Sequence, residues 1–124
     1  MSAFQKRETK REVIILGQGY LVDFGKDAIA LIFKRVQEEL EKIAEKDRGN
    51  LGQTERFHEM QNEEKVVLKR AIGEVVDCPH GVQEIFQGDD TIVLHRDIYT
   101  YLLEEYMGVM KTKSPYAVER IEGL

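Results

Sequence analysis

Glu12-Val-Ile-Ile-Leu-Gly-Gln-Gly-Tyr-Leu-Val-Asp-Phe-Gly25 is the stretch that decides the fold. Two apolar runs flank Gly17-Gln18-Gly19, and such a pair around a glycine-containing turn predicts a β-hairpin. Strands this short cannot stand alone in water, so the hairpin needs a layer to lie on. The next residues supply it. Gly25-Lys26-Asp27 opens a helical pattern with Asp27 as its expected N-cap. Ile29, Ile32, Phe33, Val36, Leu40, Ile43 and Ala44 recur at helical spacing within an arc of about 120°. Lys34, Arg35, Glu38, Glu41, Lys42 and Glu45 fill the opposite side, and Leu31 is the main misfit. This predicts an amphipathic helix over 27–47.

A glycine-containing turn at 48–53 leads to a second helical pattern beginning at Thr54. Phe57, Met60, Val67, Leu68, Ala71, Ile72 and Val75 share one face, which Gln61 and Glu64 interrupt toward the N-terminal half. Those first turns are therefore expected to be less buried. Gly73 weakens the helix by about 1 kcal/mol relative to Ala and suggests a close approach by another element. Pro79 is expected to break this helix. Val82–Phe86 reads as a short helical turn closed by Gly88, and Asp89-Asp90 is expected to cap a last helix over 91–112. The apolar positions of that helix cover about 240°, roughly twice what the surface of a monomer requires. It must either sit at the centre of the fold or bury a second face against another chain. The expected class is mainly α (α+β), with an N-terminal hairpin packed on three to four helices. The expected organisation is a flexible basic arm over 1–11, one domain over 12–112 and a mobile tail over 113–124.

The composition narrows the function. The chain has 124 residues, enough for one ordinary domain. Eighteen Lys and Arg against 23 Asp and Glu give a formal net charge of -5. That balance argues against nucleic acid, whose binders present a basic face to phosphate. The one basic patch, Lys6, Arg7, Lys10 and Arg11, is read as a solvated arm. No window approaches the ~20 apolar residues of a membrane span, and the start carries no apolar run of the secretory kind. Cys78 is the only cysteine, which fits a reducing cytoplasm.

No catalytic signature emerges, and the chain is expected not to be an enzyme and to carry no cofactor. Gly17-x-Gly19 lacks the third glycine of a dinucleotide loop, because Val22 stands there, and a strand follows where a helix is required. His95-Arg96-Asp97 spells a kinase triplet, but Leu102 stands where that motif needs Asn. Cys78, His80, His58 and His95 supply one close pair of metal ligands where structural zinc sites use two, so no metal is expected. A Cys–His hydrolase would need Cys78 in an electropositive, accessible pocket, and the acidic Asp77 stands beside it instead. The stripe Tyr99, Leu103, Tyr106 and Met110, at i, i+4, i+7 and i+11, reads either as core or as a partner-binding seam. It is the candidate contact surface.

The order of these motifs resembles the small tail assembly chaperones of long-tailed bacteriophages and prophages of Gram-positive bacteria. The likeness rests on Val13-Ile-Ile-Leu-Gly17, Tyr20-Leu-Val-Asp-Phe-Gly25 and Gly81-Val-Gln-Glu-Ile-Phe-Gln-Gly88, the last preceding a closing helix rich in Tyr, Leu and Glu. It covers roughly residues 12–110. Cys78-Pro79-His80 and the tail from Lys111 depart from the pattern. The resemblance implies a non-enzymatic protein of the bacterial host cytoplasm. It would bind the tape measure protein, recruit tail tube protein, and in many cases also occur as a longer frameshifted product. A homo-oligomer is compatible with this reading. The alternative is a small regulatory or inhibitory binding module, or a nucleic-acid-associated one acting through the basic arm.

Overall fold

The computed structural model describes residues 3–78 and 81–111. It places an antiparallel hairpin, β1 (Lys10–Ile15) and β2 (Gln18–Asp23), before four helices: α1 (Asp27–Glu45), α2 (Gln53–Val75), α3 (Val82–Ile85) and α4 (Ile92–Lys111). The expected fold class is the observed one. The hairpin begins at Lys10, inside the stretch expected to be an arm, and Thr9 is already held, because its C=O accepts the Phe24 N–H at 3.1 Å. The tail expected over 113–124 lies outside the described residues.

The hairpin turn sits earlier than expected. Leu16 and Gly17 form a two-residue loop with φ of 49° and 85°, while Gln18 and Gly19 belong to β2. Positive φ at both loop positions is the type I′ geometry, whose twist matches that of the flanking strands. Val13, Ile15 and Val22 point inward and are buried, whereas Ile14 and Leu21 point outward and are exposed. The Asp23-Phe24-Gly25 step then turns the chain into α1. The Asp23 carboxylate accepts the Thr9 hydroxyl at 2.6 Å and the Gly25 N–H at 3.0 Å. Those two bonds, the hydroxyl first, hold its pKa below the usual carboxylate range. A Cβ at Gly25 would lie 2.5 Å from Thr9 Oγ1, so only glycine fits there.

The helix ends also differ in detail. Lys26 takes the N-cap position of α1 without a side-chain bond, and Asp27 is already helical, placing its charge in the first turn where the helix dipole favours it. For α2 the cap is a side chain reaching back: the Glu55 carboxylate accepts the Gly52 N–H at 3.1 Å. The far end of α2 closes before Pro79. Asp77 adopts φ of 58°, the Cys78 N–H donates to the Gly73 C=O at 2.7 Å, and the Asp77 N–H donates to the Glu74 C=O at 3.3 Å. This is a Schellman closure, built on Asp where Gly is usual. Gly73 admits another helix, α3, because a Cβ there would come within 3.2 Å of Val82. At α4 the cap passes from Asp90 to Thr91, whose Oγ1 accepts the Leu94 N–H at 3.3 Å, while Asp89 accepts the Thr91 N–H at 2.9 Å.

The core joins Val13, Val22 and Phe24 of the hairpin region to Phe33 and Val36 of α1, Leu68 and Ile72 of α2, and Ile98 and Leu102 of α4. The α1–α2 connection is locked by Arg48, which is 7% exposed. Its guanidinium donates to the Ile43 and Lys46 carbonyls at 3.3 Å and pairs with Glu63.

The Asp77 closure yields a stability test. Asp77→Gly removes the left-handed penalty and an acid at a helix C-terminus. It should stabilise the protein by about 1 kcal/mol and raise Tm by a few degrees in calorimetry.

Candidate interaction surface

The chemistry-bearing residues are spread over the fold instead of being gathered at one point. His58 stands exposed on α2, while His95 is fully buried on α4. Cys78 is half-buried at the end of α2, and His80 lies outside the described residues. Among the described residues no three His, Cys, Asp or Glu side chains are close enough together to hold a metal ion.

His95 is the most constrained polar group. Its ring stacks on Phe86 with centroids 4.3 Å apart. Nδ1 lies 2.7 Å from the Thr91 C=O, so Nδ1 carries the proton and donates. Nε2 is buried with no hydrogen-bond partner, 3.7 Å from Asp90 Oδ1. Burial pushes the imidazole below its ordinary pKa, and Lys69 and Lys65 push the same way. The Thr91 carbonyl and Asp90 oppose them. Lys69 donates to Asp90 at 3.0 Å, and that bond, before any other influence, holds the Asp90 carboxyl below its usual range. Asp90 is thereby held between two lysines and a histidine, which pins the α3–α4 turn to α2.

The stripe on α4 is placed plainly. Tyr99, Leu103, Tyr106 and Met110 are all half-buried and pack against the core. The Tyr99 and Tyr106 rings meet Phe33 at 5.7 and 4.8 Å between centroids, and Tyr106 also meets Phe24 at 6.5 Å. Burial raises the Tyr99 pKa. The wide apolar arc of α4 is thus largely taken up inside the chain. His95, Ile98, Leu102 and Val109 are buried, Tyr101 and Glu105 reach the hairpin, and Arg96 makes a paired contact with Glu64 of α2 at 2.6 and 2.8 Å. What stays accessible is Val93, 60% exposed in the first turn, and a narrower strip further along: Leu103 and Met110, half-buried, and Met107, 43% exposed, at i, i+7 and i+4.

A second apolar surface was not anticipated. Ile14, Leu16 and Leu21 are 59%, 45% and 71% exposed on the outward side of the hairpin. The signal was present in the sequence. Val13-Ile14-Ile15-Leu16 is a continuous apolar run, and alternate residues of a strand point to opposite faces. A hairpin with helices on one face only must leave half of such a run outside. Arg48 gave no such signal, since a charged residue in a glycine-containing turn reads as solvated.

No family model, curated protein or solved structure matches the chain.

Two outcomes follow from the packing. Tyr106→Asp breaks the contacts to Phe24 and Phe33 and should destabilise the fold by about 3 kcal/mol, measured by urea denaturation. His95 titrates lower in the folded chain than its unfolded value of about 6.5. Its contribution to stability is therefore complete above that value and lost as pH falls through the folded pKa. The urea midpoint should drop between pH 7.5 and 5.5, and His95→Phe should flatten that slope.

Proposed function

We propose that this chain is a non-enzymatic tail assembly chaperone of a phage or prophage, acting in the host cytoplasm by covering apolar helix faces of a tape measure protein and recruiting tail tube protein. One observation carries the reading: the accessible strip Leu103, Met107 and Met110 on an otherwise well-packed helix. An i, i+4, i+7 apolar face is the pattern by which one helix docks against another. A long helical protein awaiting assembly exposes apolar stripes that aggregate, and a net charge of -5 keeps a small cover soluble. The motif order of the hairpin and of the segment before α4 supports the same reading. Phe24 and Phe86, the aromatic residues of those two motifs, are 0% and 2% exposed. Their role is to seat the hairpin and α4, which leaves recognition to the outer residues.

The experiment is to read the sequence flanking this gene for a long helical open frame and, where one is found, to co-express its product with this chain and co-purify. Wild-type protein should hold that partner in solution. Met107→Asp should lose it by tenfold or more while retaining the wild-type Tm. Full capture by Met107→Asp, or a gene neighbourhood with no long helical protein, overturns the reading.

A further inference from the structure

The turn between α3 and α4 is clamped on two sides. Toward α2, the Asp90 carboxylate accepts Lys69 Nζ at 3.0 Å and pairs with Lys65 at 3.5 Å. Toward the hairpin, the Gln87 amide donates to the Leu16 C=O at 2.8 Å. Phe86 lies between these ties. It is 2% exposed, stacks on the His95 ring, and has Lys69 Nζ over its own ring at 5.3 Å.

His95 beneath it is fully buried. Its Nδ1 proton is committed to the Thr91 C=O, so Nε2 presents a bare lone pair with no partner among the described residues. A proton added there has nowhere to put its charge. The charged groups that face it are Lys65 and Lys69 from α2 and Asp89 and Asp90 from the turn. Asp89 already accepts the Thr91 N–H at 2.9 Å. Asp90 Oδ1, 3.7 Å from Nε2, is held by Lys69, so one carboxylate would serve three cations. His95 is also the fourth residue of α4, near the helix end whose dipole disfavours a cation. Lifting the turn gives an imidazolium water, and it breaks two solvent-exposed ties, Lys69–Asp90 and Gln87–Leu16.

We propose that the α3–α4 turn is a proton-operated latch: when His95 takes up a proton at Nε2, the turn swings off α2, uncovering Phe86 and freeing the hairpin loop at Leu16, while the rest of the fold stays closed. Burial, and after it the lysines, hold the imidazole of the closed form below its ordinary value, and in the open form it returns to about 6.5. The sign follows. Above about 6.5 neither form gains, and each pH unit below it favours the open form by about tenfold until the closed form titrates. The proposal goes beyond the chaperone reading and is independent of it, since Leu103, Met107 and Met110 take no part.

The test is amide hydrogen exchange on the full chain at pH 7.5 and 5.5, with each rate taken relative to an unstructured amide at the same pH. The Gln87, Asp89 and Thr91 amides report on the turn, because they donate to the Glu84 C=O, the Phe86 C=O and the Asp89 carboxylate. Leu68 and Ile72, buried on α2, report on global opening. The turn amides should be less protected than those two, and their protection should fall about tenfold from pH 7.5 to 5.5. His95→Phe keeps an aromatic ring against Phe86 and removes the titration, so its turn amides should be indifferent to pH. Turn amides as protected as Leu68 and Ile72 at both pH values overturn the proposal, because the opening is then global. Wild-type turn amides that are less protected but indifferent to pH overturn it too, as does a tenfold fall that survives in His95→Phe.

Discussion

A two-stranded hairpin has no stability of its own, and the whole architecture follows from how this one is held down. Phe24 does most of that work. It leaves β2 fully buried, meets Tyr106 of α4, and shares that tyrosine with Phe33 of α1. One aromatic cluster therefore joins the hairpin and the first helix to the last helix, at the far end of the described chain. The Asp23 carboxylate, which holds Thr9 on one side and Gly25 on the other, sets the angle at which Phe24 enters. α2 closes the other flank through Leu68 and Ile72, and Asp90 ties the α3–α4 turn back to it.

This arrangement resolves the ambiguity of α4. Its wide apolar arc is shared among its neighbours. α1 takes Tyr99 and Tyr106, the hairpin takes Tyr101, and Ile98 and Leu102 join the core with Leu68 and Ile72 of α2. Tyrosine suits such a post. Tyr101 packs against the core and its hydroxyl accepts the Ile14 N–H, so one residue fills space and satisfies a strand edge. The strip of Leu103, Met107 and Met110 is what remains once these demands are met.

Much of the fold was legible in the sequence because it rests on periodicity. The apolar runs around the glycine turn, the 3.6-residue spacing of α1 and the lesser burial expected of the first half of α2 all reappear in the structure. Phe57, 59% exposed, marks that weaker half. The misread features involve single conformations or distant partners. Asp77 ends α2 in the left-handed conformation where Gly is usual, and Leu16 takes the same conformation in the hairpin turn although its residue type disfavours it. Arg48 is buried because Glu63, Ile43 and Lys46 converge on it, and that convergence exists only after α1 and α2 have paired. The stripe at Tyr99, Leu103, Tyr106 and Met110 was visible as a pattern. Its orientation depends on Phe24 and Phe33, which no local spacing reveals.

The bonds that Tyr101 and Gln87 make to the hairpin have a consequence for its register. The Tyr101 hydroxyl accepts the Ile14 N–H and the Gln87 amide donates to the Leu16 C=O, so the tip of the hairpin is tied to the helical layer at two neighbouring residues. A slip of one residue would turn Val13, Ile15 and Val22 outward and break both ties at once. The helices thus act as a ratchet stop on the strands, holding the one pairing that the two-residue loop begins.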